Sequence, residues 1–124
     1  MSAVEYQNSS DGFYRPDIRL SCQQNNYSVS FAVNEILGTD TTRLSITSDS
    51  KQVLDEKWQL SESYYTATTT NPDELIKTLR SAVEITVTYR PFAAKSIKVS
   101  TFNLQGSAQA ISVFKERCTN ELSA

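Results

Sequence analysis

Apolar and polar residues alternate with a period of two through much of this chain, and that pattern commits most of it to half-buried β-strands. In the clearest case Val83, Ile85, Val87 and Tyr89 face one side and Glu84, Thr86, Thr88 and Arg90 the other. Pro91 ends the run because it has no N–H to give a ladder. Ile18, Leu20 and Cys22 alternate with Asp17, Arg19 and Ser21. After the polar connection Gln23-Gln24-Asn25-Asn26, the residues Tyr27, Val29, Phe31 and Val33 alternate with Ser28, Ser30, Ala32 and Asn34, which predicts an antiparallel hairpin. Gly38-Thr39-Asp40 supplies a turn before a third strand built on Leu44 and Ile46, and Ser48-Asp49-Ser50 closes it. Asp55-Glu56-Lys57 reads as a polar connection into a short fourth strand holding Trp58 and Leu60. The Tyr- and Thr-rich stretch Tyr64 to Thr70 suits an irregular fifth. Ile97 and Val99 are followed by Phe102 and Leu104, a phase shift of one residue that predicts a β-bulge near Ser100-Thr101.

Two helices interrupt the strands. Asn71-Pro72-Asp73-Glu74 offers an N-cap residue, proline at the first helical position and acid in the first turn, a start resembling a capping box. Leu75, Ile76 and Leu79 then form an apolar stripe that ends near Ser81. Gly106-Ser107 opens a second helix in which Ile111, Phe114 and Cys118 recur on one face. Strands, helix, two strands and helix, without βαβ regularity, predict an α+β fold: a mainly antiparallel sheet or a β-sandwich-like core with two short helices. At 124 residues the chain has room for one core. The expected division is a flexible polar arm over residues 1–12, a single domain over 13–119 and a short tail over 120–124.

The two cysteines fall on the apolar faces of the first strand and the last helix, so both point inward. A Cys22–Cys118 disulfide would close almost the whole domain into one loop and would require an oxidising compartment. Two unrelated buried thiols in a cytosolic protein are the alternative, and intact mass under non-reducing conditions separates the two. The given residues show no export signal and no run approaching the ~20 apolar residues of a membrane span, so membrane insertion is not expected. The disulfide reading therefore points to a periplasmic or otherwise exported protein.

The chain contains no histidine, which removes Ser-His-Asp and Cys-His nucleophile systems and histidine-based zinc sites, and two cysteines cannot make a four-thiolate site. Three glycines leave no phosphate-cradling loop, and a net charge of −2 offers no basic face for nucleic acid. The adjacent carboxylates Asp55-Glu56 and Asp73-Glu74 have structural explanations, the latter at a helix start that favours negative charge. The expectation is accordingly no catalytic residue, no metal, no cofactor and no enzyme. The candidate partner-binding residues are Tyr64 and Tyr65, adjacent so that one must face outward from a strand, and Arg90, Lys95 and Lys98 around the Pro91-Phe92-Ala93-Ala94 loop.

Several segments resemble a known group in a common order. A proline-containing strand start ending in cysteine (Pro16 to Cys22) is followed by a Trp-x-x-Ser step, Trp58-Gln59-Leu60-Ser61. The short helix Leu75-Ile76-Lys77-Thr78-Leu79 comes next, and then the Phe-x-x-x-Gly turn Phe102-Asn103-Leu104-Gln105-Gly106 before the helix that ends in Cys118. Over Arg15 to Cys118 the chain resembles the TagO/VasI group of periplasmic type VI secretion accessory proteins and, more distantly, the invasion-associated locus B proteins. What the resemblance implies is an exported, disulfide-closed, non-enzymatic accessory or adaptor that binds a protein partner in the bacterial envelope. An inhibitor or immunity protein for a cell-wall hydrolase or toxin is the alternative.

Overall fold

The structure, a computed structural model, describes residues 3–9, 12–23, 26–49, 51–61, 63–92 and 96–120. Its elements are β1 (Gln7–Ser9), β2 (Gly12–Tyr14), β3 (Asp17–Gln23), β4 (Asn26–Ala32), β5 (Thr41–Ser48), β6 (Lys51–Leu60), β7 (Thr66–Thr68), α1 (Pro72–Ser81), β8 (Glu84–Tyr89), β9 (Lys98–Asn103) and α2 (Ala108–Asn120). Seven strands form one antiparallel sheet in the order β3-β4-β7-β6-β5-β8-β9, curled into a half-barrel, and β1 and β2 pair separately. The fold is therefore α+β, with a single curled sheet in place of two stacked ones.

Alternation decides what fills the concave side. Val29 and Phe31, Leu44 and Ile46, Trp58, Ile85, Val87 and Tyr89, and Phe102 all turn inward and meet Leu75, Ile76 and Leu79 of α1 and Ile111 of α2. Phe31 is the hub, its ring edge-on to Tyr89 at 5.0 Å and to Phe102 at 6.2 Å. The convex side carries the polar half of the pattern, with Ser30 beside Thr68 and Thr86 beside Thr101 across neighbouring strands. The hairpin of β3 and β4 keeps an unbroken register from Asp17↔Ala32 to Gln23↔Asn26.

The sheet has two edges, β3 and β9, and the chain manages both. Helix α2 follows β9 and is bonded through Cys118 to Cys22 on β3, so it reaches from one edge to the other. Tyr27 fastens it further, donating from its hydroxyl to the Lys115 carbonyl at 3.2 Å and packing on Phe114. Near the opposite end the N-terminal segment does the bridging. Ala3 N–H donates to Pro16 O at 2.7 Å, Val4 N–H donates to Thr101 O at 2.8 Å, and Ala3 is 1% exposed within the core. The described part of residues 1–12 is thus built into the domain where a detached arm was expected.

Three further expectations change. The ladder between β8 and β9 runs without a shift from Glu84↔Asn103 to Tyr89↔Lys98, so there is no bulge at Ser100-Thr101. Ile97 and Val99 instead face outward and Ser100 turns in, where Gln7 Nε2 donates to Val99 O at 2.8 Å. The register shift lies in the β5–β6 hairpin, at Ile46/Thr47. Asp55-Glu56-Lys57 is the middle of a ten-residue β6 and not a connection. Glu56 occupies an inward position opposite Leu44, where its carboxylate accepts from the Thr69 hydroxyl at 3.0 Å just before α1. That single polar inward position is what broke the alternation. Helix α1 has the bounds its sequence implies, but the Asn71 side chain makes no capping bond, and the Thr69 hydroxyl receives the Asn71 N–H instead.

Candidate functional site

The ends of β4, β6 and β8 and the starts of β5, β7 and β9 meet at one end of the sheet, and the loops there are laced together by backbone bonds. Val33 N–H donates to Tyr65 O, Leu37 N–H to Tyr64 O at 2.9 Å, and Phe92 N–H to Ile36 O at 2.7 Å. Tyr64 has φ of +63°, a left-handed conformation that a non-glycine residue adopts at some cost. Its own N–H donates to Ser61 O, and its carbonyl is taken by Leu37, so the strain is held by the surrounding loop. The result is that Ile36, Tyr64, Tyr65 and Phe92 are exposed on loops whose backbones are bonded to one another.

A side-chain cluster beneath this surface fixes the 33–40 loop. Glu35 Oε2 accepts from both the Tyr14 hydroxyl and Lys98 Nζ at 2.6 Å, and the Tyr14 and Tyr89 hydroxyls lie 3.4 Å apart. Lys98 and Glu35 are only about a fifth exposed, so the pair is shielded from solvent far more than an ordinary surface ion pair. Burial, then the Glu35 carboxylate, then Tyr89 raise the Tyr14 phenol well above its usual range. Because Tyr14 stays neutral in the folded protein while an unfolded tyrosine ionises near pH 10, the unfolded state releases a proton that the native state keeps. Stability is therefore expected to fall as pH rises past about 10. Denaturant midpoints taken from pH 8 to 11 should show this decline, and Tyr14→Phe should flatten it; an unchanged slope in the variant would remove Tyr14 as its source.

Beside the aromatic surface lies a cleft of about 410 Å³ lined by Leu37, Gly38, Thr39, Thr41, Thr42, Arg43, Arg90, Pro91 and Phe92. Gly38 sets its floor: a Cβ there would stand 2.7 Å from Thr41 O and 3.2 Å from Leu60 Cδ1. Gly38→Ala is expected to push the loop off its seat and to cost roughly 1–3 kcal/mol, read as a lower urea midpoint at unchanged m. Arg43 on the cleft wall is tied to Asp55 by a 2.7 Å bond that raises its pKa, whereas Arg90 is exposed and makes no hydrogen bond or ion pair among the described residues.

The structure thus gathers Tyr64, Tyr65 and Arg90 at one end, as neighbours of the same loop. Lys98 begins β9 at that end but is drawn down into the Glu35 cluster and does not form an outward rim with Arg90. Lys95 lies outside the described residues. Cys22 and Cys118 form the disulfide. Sequence reasoning missed Tyr14, Glu35, Ile36 and the Arg43 wall. Asn34-Glu35-Ile36 follows a strand with no periodicity, and Tyr14 fell at the edge of what read as the arm. Among the described residues no group of three or more Cys, Asp or Glu is placed to hold a metal ion, and no helix is long and apolar enough to cross a membrane. No protein family, no curated protein and no solved structure matches this chain.

Proposed function

We propose that this chain is a non-enzymatic accessory or adaptor domain of the bacterial envelope that binds a protein partner through the loop end of its sheet. The observation that carries the reading is the set of four large apolar side chains, Ile36, Tyr64, Tyr65 and Phe92, held between 42 and 58% exposed on loops that are hydrogen-bonded to one another. Exposed aromatics on hydrogen-bonded loops give contact area at little entropic cost, and large apolar side chains gathered at one end of a fold mark interaction sites. The disulfide supports an oxidising compartment, and the resemblance to TagO/VasI-type accessory proteins points to the periplasm.

Affinity capture from a Gram-negative envelope extract tests the proposal, with the oxidised domain compared with a Tyr64→Ala/Phe92→Ala variant of unchanged melting temperature. A component retained by the native domain and lost by the variant is the expected result, since each aromatic anchor at such a site contributes about 2 kcal/mol. Identical recoveries from both proteins would overturn this surface as the binding face. Recovery of one hydrolase whose activity is lost in the complex would replace the adaptor with an inhibitor.

A further inference from the structure

We infer that the cleft beside Phe92 receives a segment of the partner in which an apolar side chain stands next to a carboxylate, with Arg90 as the anion's partner. The inference rests on the protein-binding reading above and names the chemistry of what is bound. Three features of the cleft lead to it. Its apolar lining, Leu37, Pro91 and Phe92, asks for an apolar occupant, and 410 Å³ has room for a side chain or two but not for a folded surface. Its two cations differ in state. Arg43 is neutralised by Asp55, while Arg90 presents its guanidinium without a carboxylate among the described residues. The nearest acid in the loop sequence, Asp40, is exposed and does not line the cleft. Thr39, Thr41 and Thr42 also line the cleft, and threonine hydroxyls are neutral donors that suit a carboxylate's remaining lone pairs.

The charge count also selects among anions. Among the described lining residues one guanidinium is unpaired, which matches a single carboxylate in a bidentate fork, whereas a phosphate recruits several cations. Ile36, Tyr64 and Tyr65, exposed on loops bonded to those that line the cleft, would flank further residues of an extended chain, which a small free acid does not possess. The occupant is therefore a peptide segment and not a metabolite.

A membrane-bound array of short synthetic peptides tests this, each carrying Asp, Glu, Asn or Gln beside Leu, Phe or Tyr. The native oxidised domain is expected to be retained on acid-plus-apolar spots about tenfold more strongly than on their amide counterparts. Arg90→Ala should erase that preference and Arg90→Lys restore it only in part. Because the Arg90 side chain is exposed and unbonded, neither variant should shift the melting temperature. Equal retention of acids and amides, an unchanged pattern with Arg90→Ala, or a blank array would overturn the inference. Envelope capture that is lost with Tyr64→Ala/Phe92→Ala yet survives Arg90→Ala would retire the acidic segment and leave the binding function standing. Capture that is indifferent to all of these variants would retire both.

Discussion

Replacing both Cys22 and Cys118 by alanine is expected to lower stability by about 4–5 kcal/mol. The bond spans 96 residues, so in the oxidised protein nearly the whole unfolded chain is a closed loop, and opening it releases most of the entropy that the crosslink withholds. Alanine is the right replacement because Cys118 is 1% exposed and a serine would leave a hydroxyl in that apolar setting. The bond also anchors α2, whose buried side chains are otherwise few: Ile111 is fully buried and Phe114 only half. Urea unfolding should show a midpoint lowered on this scale and an m-value that rises as the unfolded chain becomes free to expand. Hydrogen exchange should accelerate first in α2. A loss below about 1 kcal/mol would mean that Tyr27 and Ile111 hold the helix without help from the crosslink.

The second large effect is expected at Phe31. This residue is fully buried near the end of β4, and its ring joins Tyr89 of β8 to Phe102 of β9 across the concave side. Truncation to alanine should cost about 3–5 kcal/mol, from the lost transfer energy of the ring and from a cavity that a curled, crosslinked sheet cannot collapse to fill. It should also loosen the loop end of the sheet, since the Tyr89 hydroxyl lies 3.4 Å from that of Tyr14, which bonds Glu35. Equilibrium unfolding measures the first consequence. Near-ultraviolet circular dichroism of the folded variant measures the second, as a change in the tyrosine bands. Phe31→Leu, which keeps most of the volume, should lose less than half as much. Equal losses for the two variants would place the cost in backbone disruption and not in the cavity.

Much of this architecture was legible in the sequence because burial on one face of a strand writes itself as alternation. Ile85 to Tyr89, the Ile18 to Phe31 hairpin and the inward cysteines all came from that signal, and the two helices from their stripes and proline start, whereas Val83, read as inward, lies before β8 and is exposed. Where the pattern failed, a specific contact had replaced the usual apolar inward residue. Glu56 faces inward because Thr69 meets its carboxylate, and Ser100 faces inward where the N-terminal segment arrives, which leaves Ile97 and Val99 outside. The functional end was half visible. Tyr64, Tyr65 and Arg90 stand out by residue type, but what joins them is a set of backbone bonds to the 33–40 loop, and backbone bonds leave no trace in side-chain chemistry. Glu35 was hidden for a related reason: its partners Tyr14 and Lys98 come from 21 residues before and 63 residues after it.

Both closures of the half-barrel join the beginning of the chain to its end. Val4 meets Thr101, and Cys22 meets Cys118. No portion that lacks β9 and α2 can bury the concave side fully, because Phe102 and Ile111 of those elements complete the core. Contacts between such distant residues favour slow folding through late-forming pairings. A nascent chain therefore has no complete core to settle into until β9 and α2 are free.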